Sequence, residues 1–128
     1  MYLNNYGVDP CPEEVHGRHA ELWGRTTLIF GLSTPDGDHI DETSWDSFLD
    51  HIVTPRFPTG LTVSKAAGQW LGTTGLVREH AHMLMITYPI ADARAVSQRI
   101  EEIRAAFIAE FRQEAVLRED ASPVCVSI

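Results

Sequence analysis

The residues best suited to chemistry are His80 and His82, in the run Arg78-Glu79-His80-Ala81-His82-Met83-Leu84-Met85-Ile86. Side chains two apart on a strand project from the same face, so both imidazoles are aimed together. That spacing serves metal ligation and acid–base pairs alike. As a metal site it lacks a third ligand, because Glu79 must point to the opposite face, and no metal is expected. Two solvated or hydrogen-bonded histidines near a strand start would show the same pattern. The functional alternative is acid–base catalysis, since a histidine at the edge of a dry cavity titrates near neutral pH.

Four further positions carry groups that could steady or hold a substrate. Arg25 shares its side of a strand with Thr27 and Ile29; if Leu28 and Phe30 face a helical layer, Arg25 looks the other way and can hold a carboxylate or enolate oxygen. An ion pair at the strand end would use it equally well. Gln69 and Trp70 offer an amide for a carbonyl and an indole for a planar ligand, although Trp70 also suits a core or dimer contact. Tyr88 can donate a proton to a substrate oxygen, or pack with a wet hydroxyl. The set is therefore His80, His82, Arg25 and Tyr88 as catalytic candidates, with Gln69, Trp70, Ile29 and Thr27 against the substrate.

The elements that must position these groups follow from periodicity. Residues 1–22 lack a clear period and read as an irregular arm ahead of a single domain over 23–128. RTTLIFGLS from Arg25 alternates as a strand and ends at the turn signal Pro35-Asp36-Gly37. Trp45, Phe48, Leu49, Ile52 and Val53 recur at helical spacing behind the capping residues Asp41 and Thr43, and Pro55 and Pro58 stop that helix. Leu61 opens a second strand through Leu71, with Gly68 a candidate bulge, and Gly72-Thr73-Thr74-Gly75 turns it into a third strand ending at Tyr88. Val96, Ile100, Ile103, Phe107 and Phe111 form a helical stripe over about Asp92 to Arg112. Glu114 to Arg118 is a fourth strand that Val124 to Ile128 can extend past Pro123.

The order strand, helix, strand, strand, helix, strand is the split βαβ pattern, which folds as an α+β, ferredoxin-like antiparallel sheet with both helices on one face. The central strands are apolar on both sides, Leu28 and Phe30 against Ile29, Leu84 and Ile86 against Met83 and Met85. The face without helices therefore needs a cover, and a second copy of the chain, making a dimeric α/β barrel, is expected over a bound apolar ligand.

The segments RTTLIFGLSTPDG, Trp45 with Phe48, VTPRFPTGLTV, GQW and QEAVL stand in the order seen in the DUF3574 family, and the chain resembles that family from about Arg25 to Ile128. The resemblance implies a bacterial group without an established biochemical role, many of whose members look like secreted proteins or lipoproteins. Two departures bear on function. The opening residues lack an export signal, and REHAHMLMI stands where relatives tend to have a Ser and a Lys.

Composition bounds the rest. With 18 acidic against 10 basic residues and a net charge of -8, Coulomb repulsion opposes nucleic acid and anionic membrane surfaces. No stretch approaches the roughly 20 apolar residues of a membrane span, so a cytoplasmic protein is expected. There Cys11 and Cys125, too few and too far apart in sequence for a disulfide framework, would stay as thiols, Cys125 as a small core residue. No phosphate loop, CxxC, HExxH or nucleophile elbow occurs, so no cofactor is expected. Arg56, between two prolines in TPRFP, is read as binding the last carbonyls of the first helix.

Two functions remain. One is a cofactor-independent enzyme acting on an apolar, carbonyl-bearing small-molecule substrate by cyclisation, isomerisation or elimination, with His80 or His82 as acid or base. The other is a binding or self-association module without chemistry.

Overall fold

The computed structural model describes Cys11 and residues 20–128. The expected arm over 1–22 therefore lies outside the described residues, apart from Cys11 and its last three positions. The class is α+β: four antiparallel strands in one sheet, ordered β2-β3-β1-β4, and two helices. Strand β1 spans Glu21–Gly31, β2 Thr62–Gly72, β3 Gly75–Pro89 and β4 Leu117–Val126; α1 spans Glu42–Phe48 and α2 Ala93–Phe111. Strand β1 begins at Glu21, ahead of the expected start, because its first residues already pair with the end of β4, Glu21 with Val126 and Leu22 with Cys125.

Alternation decides which side of each strand is buried. In β1, Thr26, Leu28 and Phe30 are fully buried while Arg25, Thr27 and Ile29 are only half-buried. On the helix side of β3, His82, Leu84 and Ile86 are buried. Leu28, Phe30, Leu84 and Ile86 meet Trp45 and Phe48 of α1 and Val96, Ile100, Ile103 and Phe107 of α2 in one continuous core. The α2 positions recur every three or four residues, which puts them on one stripe of the helix. Phe30 fixes the centre, with its ring 4.7 Å from that of Phe107 and 5.2 Å from that of Trp45. Burying each such side chain contributes about 1.5–3 kcal/mol.

The first helix is shorter than its apolar spacing predicts. After Phe48 the chain widens into one π turn over Leu49–Val53 and tightens into a 3₁₀ turn over Thr54–Arg56. Pro55 can donate no amide proton there. Arg56 donates to the carbonyl of Ile52 (2.8 Å) and to Glu102 (2.9 Å), which is the carbonyl-capping role expected of it.

Helix α2 keeps its expected length, flanked by Asp92 and by Arg112 in the left-handed conformation (φ 52°). Gly68 is not a bulge, because the β2–β3 ladder runs without a shift from Thr62 opposite Met85 to Gly72 opposite Gly75. The irregularity falls instead between β1 and β4, where Trp23 pairs with Val124 but Arg25 with Ala121. An extra β4 residue beside Pro123 thus joins the two apolar runs into one strand.

The expectation of two thiols is corrected: Cys11 and Cys125 form a disulfide, with Cα atoms 5.3 Å apart. Their 114-residue separation in sequence is irrelevant once β4 lies beside the start of β1. The helix-free face of the sheet presents Ile29, Met83, Met85, Leu117 and Trp70, of which Met85, Leu117 and Trp70 are exposed. Among the described residues, no helix is long and apolar enough to cross a membrane.

Candidate functional site

The hairpin sets the first two members of the site. Counting back from its Gly72–Gly75 turn, the ladder brings Ala67 opposite His80 and Lys65 opposite His82. Directly paired residues share a face, so Lys65 stands on the same side of the sheet as both histidines. The third member comes from the chain after β1. Gly37, at φ 86°, closes a tight reversal in which its amide donates to the Thr34 carbonyl (2.9 Å), and the Ile40 amide donates to Leu32 (2.7 Å). That reversal lays His39 and Ile40 along the end of β1 and delivers Asp41 to the start of α1, where its carboxylate accepts from the Ser44 amide at 2.7 Å. Glu42 and Trp45 are then three residues apart on the helix and share a face.

Trp45 stacks on His82, with centroids 4.4 Å apart and planes 9° from parallel. Glu42 consequently reaches the edge of the same imidazole, its Oε1 lying 3.5 Å from His82 Nε2 and 3.7 Å from Lys65 Nζ. Leu32, His39, Ile40, Ala66, His80 and Ala81 complete a cleft of ≈ 330 Å³ around these groups, which is at the lower end for a small-molecule site.

His82 is the unusual member. It is 3% exposed, and both ring nitrogens are buried without a hydrogen-bond partner. The Glu42 contact is too long for a good hydrogen bond, which needs roughly 2.7–3.2 Å. Burial pushes the imidazole below the ordinary histidine range; Glu42 opposes that shift and Lys65 adds to it. Loss of hydration outweighs the nearby carboxylate, so the ring is neutral at neutral pH. The result is a neutral base and donor, stacked in place and flanked by one cation and one carboxylate.

The other predicted residues lie elsewhere. His80 shares the cleft but is exposed at its rim. Arg25, Thr27 and Ile29 pair with Thr87, Met85 and Met83 on the helix-free face, so none can act on a molecule held by His82. Gln69 stands opposite Arg78, four residues beyond Lys65 on the hairpin, or about 13 Å away along the strand. Trp70 is on the helix-free side, in a separate cleft with Glu79 and Gln113.

Tyr88 is six residues from His82, about 20 Å along β3, and its hydroxyl is engaged 3.1 Å from Thr26 Oγ1. Thr26 gives its single proton to Asp120 (2.6 Å), so Tyr88 is the donor and is not free for a substrate. Larger clefts exist, one of ≈ 560 Å³ beside Arg56 and Glu102, but those two side chains satisfy each other at 2.9 Å. Chemistry, not size, selects the His82 cleft. Among the described residues, no three His, Cys, Asp or Glu side chains are grouped to hold a metal.

Sequence reasoning missed Glu42, Lys65 and Trp45. Lys65 carried a usable signal, being the only lysine of the chain and opposite His82 by simple counting from the turn.

Comparison with known proteins adds the following. The model of a family described as protein of unknown function, DUF3574, matches residues 25–128. Among solved structures, a phage SAM lyase in complex with S-methyl-5′-thioadenosine is similar in fold, with a TM-score of 0.59 at 14% identity over 90% of this chain and 97% of that chain. A phage SAM lyase in the apo state gives 0.49 at 19% identity over 85% of this chain and 90% of that one. No curated protein matches the sequence.

Proposed function

The chain belongs to the DUF3574 family, and we propose that it is a cofactor-independent small-molecule enzyme of the lyase, isomerase or cyclase type, built on a ferredoxin-like scaffold. The observation that carries this reading is a histidine 3% exposed whose two ring nitrogens have no partner. An unpaired buried polar group costs about 1–3 kcal/mol, and a ligand that completes its hydrogen bonds removes that cost.

The chemistry follows from the state of the ring. The acceptor nitrogen of neutral His82 takes a proton from a carbon next to a carbonyl, and the C–H electron pair moves into the carbonyl as an enolate. The Lys65 ammonium, on the same face, offers positive charge for the developing oxyanion. In an elimination the enolate pair re-forms the carbonyl and expels a leaving group from the next carbon, with its bonding electrons. In an isomerisation the proton returns from His82 at a different carbon. The walls of Leu32 and Ile40 suit an apolar body around the reacting carbonyl. The fold likeness to a SAM lyase that holds S-methyl-5′-thioadenosine supports the lyase class.

The test follows substrate loss by chromatography over a panel of small carbonyl metabolites that carry a leaving group on the next carbon, with wild type and a folded His80→Gln/His82→Gln double variant. Turnover should fall at least about 100-fold in the double variant, the ordinary contribution of a positioned base. Undiminished turnover would overturn the proposal.

A second reading, self-association without chemistry, has its own support in the exposed Met85, Leu117 and Trp70 of the helix-free face. A second copy laid against that face would cover them. Light scattering should then give a dimer for wild type and a monomer for Met85→Asp; a monomeric wild type would end this reading.

A further inference from the structure

We propose that the His82 cleft receives a small apolar carboxylate, and that Glu42 is its built-in competitor, holding the position that the ligand's carboxylate takes between Lys65 and His82. The inference rests on the reading of this cleft as the substrate site and names the chemical class it accepts.

The geometry is that of an anion position occupied by a poor substitute. Glu42 Oε1 lies 3.7 Å from Lys65 Nζ and 3.5 Å from His82 Nε2, beyond the roughly 2.7–3.2 Å of a formed hydrogen bond. Lys65 and the His82 ring thus converge on one oxygen that satisfies neither, and the His82 nitrogens stay unpaired. The tether explains the misfit: Glu42 is fixed in the first turn of α1, and Trp45 of that turn is already locked against the imidazole. A free carboxylate has no such tether and can close both gaps.

Displacing Glu42 is easy. Its side chain is 58% exposed and that of Lys65 78%, and an exposed pair of this kind contributes little. The freed Glu42 carboxylate returns to water, which solvates it fully. Selectivity follows from charge and from the walls. Lys65 supplies the positive charge of the cleft in a chain of net charge -8. Leu32 and Ile40 favour an apolar body behind the carboxylate.

The experiment titrates hexanoate, with hexanol and hexylamine as controls, into wild type, Lys65→Gln and Glu42→Gln, reading the His82 ring nitrogens by long-range ¹H–¹⁵N NMR. Both altered side chains are exposed, and unchanged amide spectra will show that the fold is intact. Hexanoate should bind more tightly than either control. Lys65→Gln should weaken it about tenfold or more, the usual worth of a charged hydrogen-bond donor, and Glu42→Gln should strengthen it several-fold by removing the competitor.

Hexanoate binding no better than hexanol, or weakening in Glu42→Gln, would overturn the inference. If turnover depends on His82 while hexanoate ignores Lys65 and Glu42, the carboxylate class falls and the enzyme stands. If hexanoate follows the expected pattern while turnover ignores His82, the enzyme reading falls and the carboxylate site stands.

Discussion

His82 gives up its water without gaining a partner, and that has a consequence measurable without any substrate. Burial lowers its proton affinity below the ordinary value of 6.5, so between that value and the lower folded one the unfolded chain binds a proton that the folded chain does not. Stability is therefore at its full value above about pH 6.5 and falls as the pH drops through the folded value. The slope from one such group is at most about 1.4 kcal/mol per pH unit. Urea unfolding at stepped pH values should show this decline in wild type and a shallower one in His82→Gln; equal slopes would mean that the ring is not the group responsible. The shared face of His80 and His82 was legible from their spacing alone. The contrast between them was not, because the burial of His82 depends on Trp45, a residue 37 positions earlier that only tertiary packing brings over the strand.

At the scale of elements, two glycines of β1 separate rigid from yielding neighbours. A Cβ at Gly24 would sit 2.7 Å from a ring carbon of Tyr88, its partner across the ladder, and that ring is held by its hydrogen bond to Thr26. A Cβ at Gly31 meets only the flexible carboxylate end of Glu79. Gly24→Ala should cost about 1–3 kcal/mol, the range of overpacked sites, and Gly31→Ala well under that. Denaturant midpoints compare them, and equal costs would refute the distinction. Strand alternation and the α2 stripe were readable because a period of two and a period near 3.6 each repeat several times. The π turn after Phe48 was not, since Leu49, Ile52 and Val53 fit a continuing α-helix equally well. Glu42 was hidden for a different reason: its place over the sheet is set by the Ser33–His39 bridge, a single pairing without a period of its own.

For the molecule as a whole, the class of the fold could be derived from element order, whereas the state of its cysteines could not. Reading Cys11 and Cys125 as thiols assumed that distance along the chain is distance in space. The pairing of Leu22 with Cys125 removes that distance, and the bridge favours surroundings more oxidising than the expected cytoplasm. The same bridge changes the topology of the polypeptide. Between Cys11 and Cys125 the intervening backbone becomes a covalent ring. A protease that cuts the hairpin tip at Thr73-Thr74, or any other loop within the ring, releases nothing: the two pieces keep travelling as one mass until a reductant parts them.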